Sequence, residues 1–184
     1  MFIQTEPTPN PATLKFLPGR TVMAEGVAEL TDAAEAERLS PLARRLFEVE
    51  GVTGVYLGSD FISVTKAEPV DWQVIKPALL GAIMEHFLSG EPVVAPEAVL
   101  RAVSDAEDDD TVRQIKELIE TRVRPAVARD GGDIVFQGFE RGVVYLHLRG
   151  ACSGCPSSIV TLKNGIENLL KYYVPEVVEV RSIA

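Results

Sequence analysis

Cysteine and histidine are scarce in this chain, whose 184 residues hold two of each. The cysteines, Cys152 and Cys155, stand two residues apart, which excludes the spread-out disulfide framework of a small secreted domain. An excess of positive charge is also missing. The formal net charge is −9, and a nucleic-acid binder needs a cationic footprint for phosphate. Before Pro96 there are 7 basic and 13 acidic residues, and from Pro96 onward 11 and 14, so no basic module hides behind an acidic one. Apolar runs fall far short of a membrane span. The start, Met1-Phe2-Ile3-Gln4-Thr5-Glu6-Pro7, lacks the basic and apolar regions of a signal peptide and is not an Arg- and Ser-rich transit peptide. The expectation is a reducing cytoplasm, with neither membrane nor nucleic acid as partner. No Ser-His-Asp set, phosphate loop or paired carboxylates stands out, so no enzyme activity is expected.

What is present is an ordinary globular composition, 46 % hydrophobic and 24 % charged, in a chain long enough for one large domain or two small ones. Three prolines within residues 5–11 exclude helix and central strand there. Ala12–Phe16 alternates as a strand. Asp32–Arg38 is a short helix or loop, and Ser40-Pro41 starts a helix carrying Leu42, Leu46 and Phe47. Val52–Leu57 and Phe61–Lys66 form a hairpin about Gly58-Ser59-Asp60. Asp71 caps a helix over Trp72–Leu88, with Val74, Ile75, Leu79, Ile83 and Phe87 at helical spacing and Pro77 as a kink or a later start. Trp72 and Phe61 are expected to pack. Nothing in this half carries a chemical motif.

From Gly90 to Asp110 the texture changes, with further prolines and the acids Asp105, Glu107, Asp108, Asp109 and Asp110. That composition reads as a solvated linker, with one helical turn over 97–103. Beyond it, Asp110 or Thr111 caps a helix bearing Val112, Ile115, Leu118, Ile119 and Val123, with Pro125 inside the pattern. Asp130-Gly131-Gly132-Asp133 breaks the chain, its acids read as capping and turn residues rather than a metal pair. Strands follow over Asp133–Glu140 and Val143–Arg149, joined by a tight turn at Arg141-Gly142. Val144, Leu146 and Leu148 face inward. After the cysteine loop, Pro156 opens a helix with Ile159, Leu162, Ile166, Leu169, Leu170 and Tyr173 along one stripe. Pro175 stops it, and Val177–Ile183 is a last strand. The fold class expected is α+β in two small domains, 1–90 and 110–184, joined by an acidic linker over 91–109. The second domain runs α-β-β-α-β, with the cysteine loop before its second helix.

Gly150-Ala151-Cys152-Ser153-Gly154-Cys155-Pro156-Ser157-Ser158 concentrates all the sulfur-ligand chemistry of the chain. Small neighbours should leave the sulfurs exposed. Pro156 at the first helical position puts Cys155 near the N-cap, where the helix dipole and free N–H groups favour thiolate. Two sulfurs do not complete a structural zinc site or an iron–sulfur cluster, each of which takes four protein ligands. His86 and His147 read as ordinary surface or partly buried residues. Three readings follow: a dithiol oxidoreductase, a zinc-bridged structural dimer, or two chains each giving Cys152 and Cys155 to one cluster. The oxidoreductase reading is weakened by position, because its Cys pair usually follows the first strand of a longer βαβ pattern.

Asp130-Gly131-Gly132-Asp133, the strand pair, Gly150 to Ser158, Thr161-Leu162-Lys163 and Val174-Pro175-Glu176-Val177 together resemble the C-terminal domain of the NifU-like (Nfu) iron–sulfur proteins. Thr5-Glu6-Pro7-Thr8-Pro9-Asn10-Pro11-Ala12-Thr13-Leu14-Lys15-Phe16 and Gly51-Val52 resemble the Nfu N-terminal domain. The resemblance implies a scaffold or carrier in which Cys152 and Cys155 of two protomers bind a labile [4Fe–4S] cluster, with [2Fe–2S] as the alternative form. It implies a homodimer on cluster binding, an upstream cluster scaffold and recipient apo-proteins as partners. It also implies an N-terminal domain that helps engage targets. The separate scaffold domain and ferredoxin-type cysteines of full-length NifU are not in this sequence. The compartment implied is a bacterial cytoplasm, or the mitochondrial matrix for a processed eukaryotic form.

Overall fold

The computed structural model describes residues 1–96, 109–153 and 156–183, with the side chains of 156–158 excepted. Most of the expected linker, including the single turn over 97–103, lies outside the described residues, as do Gly154 and Cys155. The chain is α+β and divides into two units, Met1–Ser104 and Asp105–Ala184.

The first unit is an antiparallel five-stranded sheet. Its strands are β1 (Gln4–Pro7), β2 (Thr13–Leu17), β3 (Ala28–Leu30), β4 (Val52–Leu57) and β5 (Ile62–Lys66), in the order β1-β2-β5-β4-β3. The proline-bearing β1 sits at an edge, where a missing N–H costs no ladder bond. β3, too short to announce itself by alternation, forms the other edge. Cross-strand partners Phe16 and Ile62, Val64 and Val55, and Leu57 and Ile62 line the inward face. Helices α1 (Ala33–Leu39), α2 (Pro41–Phe47) and α3 (Trp72–Ser89) belong to the same unit. Leu42, Leu46, Leu79 and Ile83 from α2 and α3 share the sheet's core. Ser40 caps α2 through its hydroxyl, which accepts from the Ala43 N–H at 3.0 Å and donates to the Val93 carbonyl. α3 starts at Trp72 under its Asp71 cap and runs through Pro77. Val74 departs from the expectation of a core position, being 74 % exposed. Phe61 and Trp72 both pack as expected; Trp72 lies half-buried against the core and donates its indole N–H to the Pro11 carbonyl at 3.0 Å.

The second unit opens with α4 (Asp110–Leu118), a π-helical turn (Ile119–Val123) and α5 (Arg124–Arg129) in one continuous run. The cap is Asp109, one residue earlier than the sequence suggests. Ile115, Ile119, Val123 and Val127 are all buried at a constant spacing of four. In an unbroken α-helix each such step would drift by about 40° around the axis. The π turn, in which the Arg124 N–H reaches back to the Ile119 carbonyl, takes up that drift. It also stands just ahead of Pro125, whose ring would crowd a regular turn.

Strands β6 (Gly132–Glu140), β7 (Val143–Gly150) and β8 (Glu179–Ile183) make a three-stranded sheet in that order, β8 running parallel to β7. The long helix α6 (Pro156–Tyr173) is the crossover between β7 and β8. Ile166 and Leu170 of α6 join Ile115, Ile119, Ile134, Val144, Leu146 and Val180 in one core. Tyr173, expected on the buried stripe, is 37 % exposed where the helix ends.

Candidate metal-binding loop

The β6–β7 hairpin decides what faces the cysteine loop. Its tip, Arg141-Gly142, has positive φ at both residues, 51° and 80°, the backbone of a two-residue turn matched to strand twist. Pairing then runs from Glu140↔Val143 down to Gly132↔Gly150, with one break in register between Phe136 and Gly138. Gln137 is the extra residue of that bulge. Were Gln137 paired in a regular ladder instead, Gly132 would fall opposite Ala151, and every side chain on the lower half of β6 would change faces. The bulge therefore brings Asp130-Gly131-Gly132-Asp133 beside Gly150-Ala151-Cys152. The Ala151 N–H donates to the Gly131 carbonyl at 3.2 Å, Cys152 N–H to Arg149 at 3.3 Å and Ser153 N–H to Gly150 at 3.1 Å.

Gly132 is required here by space. A Cβ built on it would lie 2.3 Å from the Cys152 Sγ and 3.0 Å from the Cys152 nitrogen. Cys152 lies in this notch, 8 % exposed, as a member of the domain core. This corrects the expectation of an exposed sulfur. The small neighbours let the backbone of β6 close over the thiol instead of opening it to solvent. Nor is this sulfur poised as thiolate: burial, then the charges of Asp130 and Asp133, push the Cys152 thiol up to about 12. Cys155, the other half of the pair, lies outside the described residues.

Asp133 is not the turn residue expected from sequence. It is buried, and its carboxylate accepts both the Nε–H (2.7 Å) and an Nη–H (2.9 Å) of Arg124. Arg124 donates its other Nη to Glu120 at 2.5 Å. Burial alone would weaken the guanidinium's hold on its proton. The two carboxylates outweigh that and raise its pKa above the ordinary arginine range. This fork-on-fork pair ties α5 to the start of β6, one residue from the notch that holds Cys152. Sequence reading missed Arg124, whose only signal was its place in a helix six residues before an Asp-Gly-Gly-Asp break. Asp130 does end α5, followed by Gly131 at φ 76°. Of the two histidines, His147 is half-buried on β7, whereas His86 is fully buried in α3, against expectation. Among the described residues, no three His, Cys, Asp or Glu side chains converge as a metal group.

Comparison with known proteins places both halves. Residues 3–90 match the family model described as Scaffold protein Nfu/NifU N terminal. Residues 115–181 match the NifU-like domain. The human protein named NFU1 iron-sulfur cluster scaffold homolog, mitochondrial, is 50 % identical over 184 residues, which are 100 % of this chain and 72 % of that one. The protein of the same name from Drosophila sechellia is 52 % identical over 186 residues, covering 100 % of this chain and 65 % of its own. A solution NMR structure of a NifU-like protein from Saccharomyces cerevisiae is 27 % identical over 52 % of this chain and 86 % of that chain, with a TM-score of 0.47. With two domain models matched in order and half its residues shared with relatives of similar build, the chain belongs to the NifU-like (Nfu) scaffold family.

Proposed function

We propose that this protein is a carrier of iron–sulfur clusters: two copies hold one [4Fe–4S] cluster as cargo through Cys152 and Cys155 of each, and pass it to apo-proteins. The observation that carries this is the ligand count. The chain has two cysteines, on one turn, and a cubane cluster takes four thiolates. The family's description as a scaffold agrees with cargo rather than a resident cofactor. Each thiol loses its proton on binding iron. On delivery the recipient's thiolates replace these, with no net oxidation or reduction, so the event is ligand exchange and not turnover.

In this reading residues 110–184 bind the cluster, 91–109 form the linker, and 1–90 help engage recipients or an upstream scaffold. Since the chain spans 65–72 % of these relatives' length, their partners are proposals for this protein as well. The relatives' names place them in mitochondria, which suits the mitochondrial matrix, or a bacterial cytoplasm if the source is prokaryotic. Cys152 must leave its notch against Gly132 before its sulfur can meet iron. A dithiol oxidoreductase would need an accessible thiolate of low pKa, the opposite of the Cys152 environment. Zinc could use the same four sulfurs, and metal analysis separates it from iron.

The test is anaerobic reconstitution with ferrous iron and sulfide. About four irons per dimer are expected, with loading abolished by Cys152→Ser and by Cys155→Ser. A protein that takes up no iron and forms only a Cys152–Cys155 disulfide would refute the proposal.

A further inference from the structure

Helix α6 follows the cysteine loop directly, so its outer face is a surface beside which a second chain sharing the same cluster can lie. That face has a particular composition. Val160, Thr161, Asn164, Gly165 and Asn168 are all exposed, Val160 to 60 %, and none of them carries a charge. In a chain of net charge −9, such a face lets two copies meet without like-charge repulsion at the contact. The charges on its flank are occupied within the chain. Glu167 accepts from Lys171 at 2.6 Å and from the Val180 N–H at 3.1 Å, while Lys163 lies 4.0 Å from Glu179. Gly165 has open space around its would-be Cβ. It is therefore not held by packing within its own domain, and a neighbouring helix can approach its backbone closely.

We infer that the uncharged outer face of α6, centred on Val160, Asn164 and Gly165, is the surface on which a second copy of this chain docks when a cluster is shared. The inference rests on the shared-cluster reading and adds where the two chains touch. The size of the face sets the strength of the contact. The nine residues from Val160 to Asn168 are about 13 Å long and roughly 10 Å across, which covers on the order of 100 Å² per chain. A stable complex buries roughly 800 Å² per partner. Docking by this face alone is weak, so the apo-protein is a monomer, and the dimer lasts only while the four sulfurs are bridged by the cluster.

The experiment uses the full chain with Val160→Glu and, separately, Gly165→Glu. Both positions face solvent, and replacing a helical glycine raises helix propensity, so the thermal midpoint of the apo-protein should hold or rise. Wild type should sediment as a monomer without cluster and as a dimer with it. Each variant should lose cluster to a chelator at least about tenfold faster under the same conditions, because one new carboxylate per chain faces its twin across the axis. Variants that load, sediment and release as wild type does would overturn the docking face. So would an apo dimer unaffected by either substitution. If wild type itself never loads iron, it is the shared-cluster reading that fails, and that result is distinct from the others.

Discussion

The Cys152 Sγ occupies the space in which a Cβ at Gly132 would stand, with 2.3 Å between the two positions. The glycine of one strand start is the seat of the sulfur on the neighbouring loop.

Gly132→Ala should therefore force either the strand or the thiol to move. Overpacking of this kind costs about 1–3 kcal/mol, read as a lower urea midpoint for the C-terminal domain. A double-mutant cycle with Cys152→Ala should recover part of that loss, since truncation removes the closest atom and leaves the contacts at 3.0–3.1 Å. Strict additivity would show that the two residues do not compete for this space.

The buried thiol should react slowly. In a Cys155→Ser chain, iodoacetamide at pH 8 should modify Cys152 at least about tenfold more slowly than it modifies free cysteine, as followed by mass spectrometry. The sign of the linked stability is set by the raised pKa. From the ordinary value of 9.0 up to about 12, the unfolded chain releases the proton and the folded chain keeps it. This contribution to stability is complete below pH 9 and fades as pH climbs through that window. Cys152→Ala should flatten the alkaline limb of the stability profile.

Arg124 and Asp133 should not be equal partners on removal. Arg124→Ala strands a buried carboxylate and should cost about 3 kcal/mol. Asp133→Asn leaves a guanidinium whose side chain is 25 % exposed and still faces Glu120, and should cost only about 1 kcal/mol. Equal losses in chemical denaturation would mean that the pair is not the anchor of the β6 start.

His86 is a weak point in the N-terminal domain. Its ring is fully buried, and neither nitrogen meets a hydrogen-bond partner. Burial, and next the nearby Arg45 charge, lower its pKa below the ordinary 6.5, against a smaller opposing effect of Glu91. Above about pH 6.5 the ring is neutral in both states. As pH falls below that, the unfolded chain takes up the proton more readily and stability is lost. His86→Phe, which keeps a ring for the edge contact with Phe87, should gain about 1 kcal/mol near neutrality. It should also blunt the acid limb, both measurable by thermal melts across pH.

Much of this architecture is legible in the residues because local signals agree with tertiary packing. Ser40-Pro41, Asp71 and the alternation of Val143–Arg149 each carry their own cap or period, and each forms the expected element. What escapes is whatever depends on a partner far along the chain. β3 is three residues long and is a strand only because β4 pairs with it. The burial of Cys152 arises from register: a bulge at Gln137 aligns Gly132 with Gly150, and no periodicity in one strand reveals that. Arg124 finds Asp133 through a π turn, which sequence showed only as a proline inside a helical pattern. The cysteine pair itself was plain, but its environment was not.

The single extra residue at Gln137 imposes a parity rule on this domain. Residues can be added in pairs between the hairpin tip and the bulge, lengthening both strands, and the cysteine loop would be unaffected. Between the bulge and Ile134, one inserted residue would turn Ile134 outward and put the Asp133 side chain where the sulfur lies. The hairpin can therefore vary in length at its tip while the segment beside the cysteines stays fixed.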